Sequence, residues 1–544
     1  MTPDPLRKVV NRPRALLRAL SGFGLFGLLF AAGAASALAH APVYFQPALI
    51  GGLVLLVWSL DDARRSRRPL RAGFARAWAF AAGYFLAGTH WVASAFLVSA
   101  EDHAWLIWAP LTLLPGGLAL FWGVAGAAYA RLAGSGPERI AVFAGLFVCL
   151  EFVRSVILSG FPWNLPGHVF EAGGAISQAA SLIGALGLSA LALYAFASPA
   201  ALRGAGGPVA RAYPIVASVL VLAGFWLWGD HRLNGSDVQE TGVTVRVVQL
   251  DRPQAELRPS QASEILDEYL ALTLTEGLDA VDLVIWPEGS VPAFLQNEPR
   301  LLERLHAALP LGTRLVAGAP HIVWSPINQP EAVYNSLHAL RIGEEHIIVE
   351  DRYDKVKLVP FGEANTIAAL TRPFGLETLS QYGVGFDAGA NARTLSLGAA
   401  PPFAPLICYE VVYPRFSPRG SDRPAWLLNI SNDSWFGDSA GPAQLLNQAR
   451  YRSIEEGLPL VRSATAGVSG IIDPYGRVGH IAGVEESQVL DLVLLASLDK
   501  PFYGHYGDGP WVIAFAFLAG IALIRPVLAR QKAQLARKPG VVKD

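Results

Sequence analysis

The chain has 544 residues, of which 52% are apolar and only 16% are charged, and its mean hydropathy is +0.36. These values indicate a membrane protein rather than an ordinary water-soluble domain. The 43 basic and 44 acidic residues leave no overall basic field of the kind that nucleic-acid binding requires. Two cysteines are too few for a disulfide scaffold or a cysteine-rich metal site.

Apolar stretches dominate the first 230 residues. A spanning helix needs roughly 20 largely apolar residues, and this window predicts seven spans, a long polar region and an eighth span. The seven lie near 21–41, 43–60, 77–99, 104–130, 139–158, 175–199 and 212–229, and the eighth near 510–528. The first also has features of a signal peptide, since small residues at Ala37–Ala41 suit cleavage. A second apolar stretch follows at once, so an uncleaved helical hairpin is preferred.

This pattern predicts the organisation of the chain. An N-terminal extension at 1–20 precedes a seven-helix membrane domain at 21–230. A polar domain at 237–498, the last span at 510–528 and a basic tail at 529–544 follow. Basic residues fall in loops that share one side if the spans alternate, and the positive-inside rule assigns that side to the cytoplasm. Both termini are then cytoplasmic, and the polar domain lies on the outer face.

The polar domain alternates short strand patterns with helix patterns. The strand candidates are Val243–Leu250, Leu283–Trp286, Arg314–Gly318, Ser336–Ile342, Ile347–Glu350, Phe403–Cys408 and Trp426–Ser431. The helix candidates between them are Ser260–Gly277, Pro299–Ala308 and Gln444–Gly457. Such alternation predicts a layered α/β domain.

Three ionisable residues of this domain lie at or near the ends of apolar runs: Glu288, Lys355 and Cys408. A thiol attacks as its thiolate, so it needs a base and a nearby cation. A glutamate and a lysine supply those two roles, and the pattern therefore predicts nucleophilic acyl chemistry at Cys408. The other cysteine, Cys149, lies in an apolar span and is interpreted as a small packed residue.

The segments around these residues resemble the nitrilase (carbon–nitrogen hydrolase) superfamily. They are Trp286-Pro287-Glu288, Tyr353-Asp354-Lys355 and Cys408-Tyr409-Glu410, in this order. With seven spans before them, the chain is similar to the bacterial apolipoprotein N-acyltransferase family. Further segments carry the same resemblance, namely Leu358–Glu363, Asn432–Asp438, Glu151–Arg154, Gly160–Asn164, Tyr503 and Gly507-Asp508.

The resemblance implies an αββα sandwich on a membrane domain of about eight helices. The location it implies is the bacterial inner membrane, with the catalytic domain in the periplasm. The implied reaction moves an acyl chain from a glycerophospholipid to the α-amino group of the diacylglyceryl-cysteine of an apolipoprotein. A Cys408 acyl-thioester would form on this ping-pong route, with lysophospholipid released. The family uses no metal or other cofactor.

Site roles also follow from the resemblance. Glu288 is assigned as general base, Cys408 as nucleophile and Lys355 as the cation for thiolate and oxyanion. Lys357 competes with Lys355, since it lies two residues away on the same strand face, but the spacing to Glu363 favours Lys355. The expected supporting residues are Glu363, Glu410 and Tyr409, and possible substrate or acyl-chain contacts are Trp435, Phe436, Phe361 and Asn335. For Trp435 and Phe436, packing without substrate contact is the alternative.

Four positions depart from the family pattern. Asp251 stands where Asn is usual, and Arg258 lies where a Lys-Trp pair is common. Leu445 replaces a His, and Thr465 lies in a turn that otherwise contains Asn. None of the four belongs to the Glu–Lys–Cys trio, so they bear on substrate loops and acyl preference rather than on the chemistry.

Two other functions are compatible with parts of the pattern. A membrane-tethered amidase of the nitrilase type would use the same trio with water as the acceptor. A non-enzymatic polytopic binding protein, such as a transporter, would carry broken helices or ionisable clusters at mid-membrane. Soluble amides need no eight-span scaffold, whereas a phospholipid donor does, and this favours acyl transfer.

Overall fold

The computed structural model describes residues 22–98, 100–235, 237–327, 329–359, 363, 385–484, 486–511 and 513. Within them, a helical part ends near residue 235 and an α/β part follows it. The predicted extension at 1–20, Phe361, the tail at 529–544 and nearly all of the predicted span at 510–528 lie outside the described residues.

A helix occupies each of the seven apolar stretches predicted before the polar domain. These helices are α1 (Phe23–Ser36), α2 (Gln46–Ala63), α3 (Pro69–Thr89), α4 (Trp108–Leu132), α5 (Arg139–Val156), α6 (Ala180–Ala197) and α7 (Pro208–Asn234), and a single turn lies at Ala100–His103. The largest differences from the expected bounds are in α3, which begins at Pro69 rather than near residue 77 and ends at Thr89 rather than near residue 99. Proline suits the first turn of a helix, because the N–H that it lacks would have no partner within the helix at that position.

Three helical stretches of the described chain are long and apolar enough to cross a membrane. They are Ala104–Leu132, Ile176–Arg203 and Pro208–Asn234. Inside the helical part, Glu151 and Arg154 form a buried ion pair one turn apart on α5, with Arg154 Nε 2.9 Å from Glu151 Oε2. Trp122 donates to the same carboxylate, and Arg154 donates to the carbonyl of Phe161. This network ties α5 to the loop beyond its end.

The α/β part contains two sheets. The strands are β1 (Glu240–Gln249), β2 (Leu283–Ile285), β3 (Arg314–Trp324), β4 (Pro330–Ile342), β5 (Ile347–Asp354), β6 (Phe403–Ile407), β7 (Trp426–Asn432), β8 (Leu460–Thr465), β9 (Ser469–Ile472), β10 (Val478–Ala482) and β11 (Gln488–Leu495). One sheet has the order β11-β1-β2-β3-β4-β5 and the other β10-β9-β8-β7-β6. Strands β1–β3 and β6–β8 run parallel within their sheets, and the outer strands are antiparallel.

The two sheets pack face to face with helices on both outer faces. Helices α8 (Ala262–Thr273) and α9 (Pro299–Ala308) cover the first sheet, and α10 (Gly441–Glu456) covers the second. Residues on the inner faces form one apolar core, which includes Val247, Ile285, Val316, Ile407, Leu428 and Val461. This arrangement is the predicted layered α/β domain. The sequence indicated its strands because strands that are buried on both faces appear as continuous apolar runs.

Helix α10 also contacts the helical part along a seam of polar contacts. Its side chains meet backbone groups and a tryptophan from the loops and helix between α5 and α7. The pairs are Trp163 Nε1 to Gln444 Oε1 (2.6 Å), Ala172 N to Asn447 Oδ1 (3.0 Å), Tyr451 Oη to the Phe170 carbonyl (2.6 Å) and Ala185 N to Glu455 Oε1 (2.8 Å). Because these bonds are directional, they fix how the sandwich is oriented on the helices.

Candidate active site

The three residues of the trio lie at strand ends. Lys355 directly follows β5, Cys408 directly follows β6, and Glu288 comes three residues after β2. The first two positions belong to different sheets, so the site is assembled across the sandwich. The charges of Glu288 and Lys355 both act on the pKa of Cys408, so the fold brings the three residues together.

Lys355 is held by two carboxylates. Its Nζ lies 3.1 Å from Glu288 Oε1 and 2.8 Å from Glu363 Oε1, and its side chain is 1% exposed. Burial alone would lower the pKa of Lys355, but the charges of Glu288, Glu363 and Cys408 raise it above its ordinary value. A lysine in this setting stays protonated and presents a fixed positive charge.

Glu288 is buried and positioned by several donors. Oε1 accepts from Asn335 Nδ2 at 2.7 Å as well as from Lys355, and Oε2 accepts from the backbone N–H of Asn432 at 2.9 Å. A carboxylate oxygen has room for two hydrogen bonds, so Oε2 keeps a lone pair that can take a proton. Asn335 also donates to Glu363 Oε1 at 2.9 Å and therefore bridges the two carboxylates.

Cys408 begins a tight turn, Cys408–Val412, in a conformation that is unusual for a side-chain-bearing residue. Its φ is +48°, in the left-handed region, and the residue is half-buried. Backbone strain of this kind persists only where the surroundings hold it, and it clusters at active sites. Burial and the Glu288 charge raise the pKa of the Cys408 thiol, whereas Lys355 and a hydrogen bond with Ser431 lower it. The net shift is upward, so the resting sulfur is a thiol that needs a base.

Glu410 joins the Cys408 turn to the Lys355 loop. Its carboxylate accepts from the N–H of Ile407 at 2.8 Å, of Val356 at 2.7 Å and of Lys357 at 3.0 Å. Tyr353 Oη donates to it as well, at 3.0 Å. Burial raises the pKa of Glu410 to about 7, against the lowering effect of the backbone donors. One side chain therefore fixes two loops that carry two members of the trio.

The competing lysine lies elsewhere. Lys357 is half-buried, and its Nζ lies 5.4 Å from the centre of the Tyr413 ring in a cation–π contact. Tyr409 is buried and points away from the trio, since its ring stacks on Trp163 at 6.4 Å and its hydroxyl donates to the Gly160 carbonyl at 3.3 Å. Tyr409 thus connects the Cys408 turn to the helical part.

The residues predicted as substrate or acyl-chain contacts lie in different places. Phe436 is buried at the seam, where its ring lies 4.7 Å from that of Trp91 and 6.2 Å from that of Trp163. Trp435 is half-buried in the turn after β7. Contact with substrate stays a prediction for both residues, as it does for Asn335.

A buried network next to Cys408 was not predicted from the sequence. Ser431 Oγ donates to Asp433 Oδ1 at 2.6 Å, and Arg462 Nη2 pairs with both oxygens of Asp433 at 2.7 and 2.6 Å. Arg462 also donates to Asn429, whose amide donates to the Leu406 carbonyl at 2.8 Å. The Asn432–Asp438 segment in the resemblance contains Asp433, but its partner Arg462 is distant in sequence. The network fixes the strand ends that support Cys408.

The four departures from the family pattern lie at different places. Leu445 is buried in the apolar cluster under α10, and Thr465 lies at the end of β8 within 3.4 Å of Tyr269 Oη. Asp251 and Arg258 are exposed in the loop beyond β1. None of the four forms a hydrogen bond or ion pair with a member of the trio in the described residues.

Replacing Glu410 by glutamine is expected to destabilise the protein and slow its chemistry. The amide NH₂ group would face N–H and O–H donors that now bond to the carboxylate. A buried polar group left unpaired in this way lowers the free energy of unfolding by about 1–3 kcal/mol. For a domain of this size, each 1 kcal/mol shifts the thermal midpoint by about 2–4 °C. Thermal unfolding in one fixed detergent measures the effect. Glu256→Gln is the control, since Glu256 is exposed in a surface ion pair, and an equal shift in both variants would contradict the role of Glu410.

Comparison with known families and proteins identifies the family of this chain. Residues 32–198 match the family model described as apolipoprotein N-acyltransferase N-terminal domain, and residues 244–502, which include the whole trio, match that of carbon–nitrogen hydrolase. The apolipoprotein N-acyltransferase of Rhodopseudomonas palustris is 38% identical, covering 91% of this chain and 94% of that protein. Those of Caulobacter vibrioides and Agrobacterium fabrum are each 36% identical, covering 94% and 93% of this chain and 96% of each relative. Similarity at this level over nearly the whole length shows that the chain belongs to the apolipoprotein N-acyltransferase family.

Proposed function

We propose that this protein transfers an acyl chain from a glycerophospholipid to the α-amino group of the diacylglyceryl-cysteine of apolipoproteins, through a thioester on Cys408. The observation that carries the proposal is the buried Lys355, held by Glu288 and Glu363 and acting electrostatically on Cys408. Membership in the family supports the reaction, since the relatives from Rhodopseudomonas palustris and Caulobacter vibrioides bear the name of this activity.

In the first half-reaction, Glu288 takes the proton of the Cys408 thiol and the sulfur attacks the ester carbonyl of the phospholipid. Lys355 offers a fixed positive charge to the thiolate and to the oxyanion that forms, a contribution that can lower a barrier by several kcal/mol. The bond between the carbonyl carbon and the glycerol oxygen then breaks. Glu288 returns the proton to that oxygen, and lysophospholipid leaves.

In the second half-reaction, the amine of the lipoprotein attacks the thioester. Glu288 accepts a proton from the amine as the carbon–nitrogen bond forms, and the carbon–sulfur bond breaks. The thiolate leaves beside Lys355 and regains a proton from Glu288. The raised pKa of the Cys408 thiol supports the first half-reaction, because a resting thiol of that kind needs a base before it attacks.

The proposed setting is the inner membrane of a bacterium. In this proposal the chain crosses the bilayer eight times, with both termini in the cytoplasm and the domain at 237–498 in the periplasm. Basic loops on one side support the orientation. A phospholipid ester and a lipidated amine both reside in a membrane, so this setting gives a half-buried thiol access to both substrates.

Trapping the thioester tests the proposal. Purified protein is incubated with a glycerophospholipid that is labelled in its acyl chain, without acceptor, and is then denatured. Label is expected to stay on the protein and to be released by hydroxylamine. Cys408→Ala should retain none, and label that persists on this variant would overturn the nucleophile assignment. A wild-type chain that takes up no label but hydrolyses small amides would instead be an amidase.

A further inference from the structure

Four basic side chains lie together on the sandwich, three of them in the loop between β6 and β7 and one after β11. We call Arg415, Arg419, Arg423 and Lys500 the basic cluster. Arg419 donates to the backbone carbonyl of Arg415. Burial and the charge of Arg415 lower the pKa of Arg419. Burial also lowers the pKa of Lys500, and the three arginines act in the same direction against Glu456. The four charges are therefore close enough to repel one another.

Backbone carbonyls, rather than carboxylates, hold the cluster. Arg415 Nη1 donates to the Tyr506 carbonyl at 3.3 Å. Arg423 Nη2 donates to the carbonyls of Glu456 and Leu498, each at 3.1 Å. Across the described residues, no member of the basic cluster has a carboxylate oxygen within 4.0 Å. Arg419 is exposed and the other three side chains are half-buried, so the cluster is positioned by the backbone and reaches the surface without a directly paired carboxylate.

Three carboxylates face the cluster without neutralising it. Glu456 is buried and Asp508 is half-buried, and burial raises the pKa of both. Asp499 is exposed and acts on Arg423. Arg452 also acts on Glu456 and Asp508, but it is paired with Glu455, so the four cations of the basic cluster face three carboxylates and leave an excess of positive charge.

The cluster lies at the level where the membrane helices end. Close to Arg415, Tyr413 Oη donates to the carbonyls of Ser159 and Gly160 beyond α5, at 2.9 and 3.0 Å. Close to Lys500, the Tyr503 ring packs against Gly184, where α6 is broken. Both anchors belong to the outer ends of apolar helices in the proposed topology.

An exposed aromatic pair lies beside the cluster. Phe502 and Tyr506, on helix α11 (Phe502–Tyr506), are 48% and 59% exposed, and their ring centres are 4.7 Å apart. Aromatic rings of this kind favour the boundary between lipid and water. Basic and aromatic side chains together match a ligand that carries both an anion and an apolar body.

We propose that the basic cluster binds the phosphate of a glycerophospholipid in the outer leaflet, with Phe502 and Tyr506 against the lipid below it. Guanidinium groups suit phosphate oxygens because they offer several donors in a fixed plane. Free phosphate has the same anionic chemistry, but it would leave the aromatic pair without a role. The inference rests on the proposed membrane placement and not on the chemistry of the trio.

Lipid retention by the full-length chain tests the site. The Cys408→Ala chain, which removes acyl transfer from the readout, is purified in detergent with phosphatidylglycerol as the probe. Bound lipid is counted by native mass spectrometry across a lipid titration. Arg419→Gln with Lys500→Gln is expected to weaken binding by roughly tenfold or more, since each basic side chain near an anionic lipid contributes to the attraction. Arg300→Gln with Arg393→Gln removes the same charge from exposed positions elsewhere on the same domain and should leave the amount of bound lipid unchanged.

The outcomes are separable. Loss of lipid in the cluster variant alone, with an unchanged thermal midpoint, supports the site. Equal retention in both double variants overturns it. Displacement of phosphatidylglycerol by an equal concentration of inorganic phosphate would assign the cluster to free phosphate and overturn the lipid assignment. Failure of the thioester experiment would leave this result untouched, because retention in the Cys408→Ala chain requires no acyl transfer.

Discussion

Lys355→Ala is expected to abolish thioester formation, whereas Lys357→Ala keeps most of it. Lys355 is the buried cation that Glu288 and Glu363 hold, and Lys357 lies against the Tyr413 ring. Removing one preorganised electrostatic group from an active site typically slows the reaction about 10²–10³-fold. The rate of label transfer from phospholipid to protein measures the difference. The reverse order of the two variants would exchange their roles.

Loss of folding must be separated from loss of chemistry in this experiment. Taking Lys355 away leaves two buried carboxylates uncompensated, and breaking a buried pair costs about 3–5 kcal/mol. The double variant Lys355→Ala with Glu363→Gln removes one of those charges. It is expected to recover part of the thermal midpoint and none of the activity. Recovery of activity together with stability would show that Lys355 has only a structural role.

Glu288→Gln is expected to slow both half-reactions, because in the proposed mechanism the same carboxylate moves the proton in each. General-base catalysis contributes about 10²–10⁴-fold, so a loss in that range is predicted for thioester formation and for acylation of the amine. Single-turnover assays of the two steps measure it. The control is Glu344→Gln, an exposed glutamate on the same domain, which should behave as wild type.

The pH dependence of Glu288→Gln distinguishes a base from a packing residue. The pKa of the Cys408 thiol is raised, so the thiolate is a minor species at neutral pH. Without Glu288, the rate must follow the thiolate population, which grows roughly tenfold per pH unit below the pKa. Its logarithm should therefore rise linearly above pH 7, while the wild type changes little. A variant with the wild-type profile, merely scaled down, would contradict the role of base.

The layered α/β class and strands β1–β7 were predicted from the sequence, whereas strands β8–β11 were not. Strands such as β2 and β6 are buried on both faces, so they appear in the sequence as short apolar runs. The ionisable residues that follow these runs, Glu288 and Cys408, could therefore be identified from the sequence. Strands β3 and β4 were predicted too short. Pro320 and His321 interrupt the apolar pattern of β3, yet β3 and β4 continue as a hairpin in which Pro320 pairs with Asn335. That register delivers Asn335 to the carboxylates.

The contacts within the site could not be predicted, because they depend on how distant segments pack. Nothing in a single chain says that Glu410 accepts from the Lys355 loop, since 53 positions separate it from Lys357. The pairing of Arg462 with Asp433 likewise arises from the parallel register of β7 and β8. The direction of Tyr409 was open as well, because a strained turn does not follow the alternation of a strand.

Cys408 and Tyr409 are neighbours in the chain, yet Cys408 lies with Glu288 and Lys355 while Tyr409 contacts the helical part. Tyr409 is bonded to Gly160 and stacked on Trp163 at the end of the helical part, and consecutive Cα atoms are only about 3.8 Å apart. The sulfur therefore sits at a set height relative to the ends of the membrane helices. Under the proposed topology, substrates are therefore selected by the depth of their reacting group in the bilayer. An ester or amine at the depth of the sulfur reaches the thiol, whereas one dissolved in water or buried among the acyl chains does not.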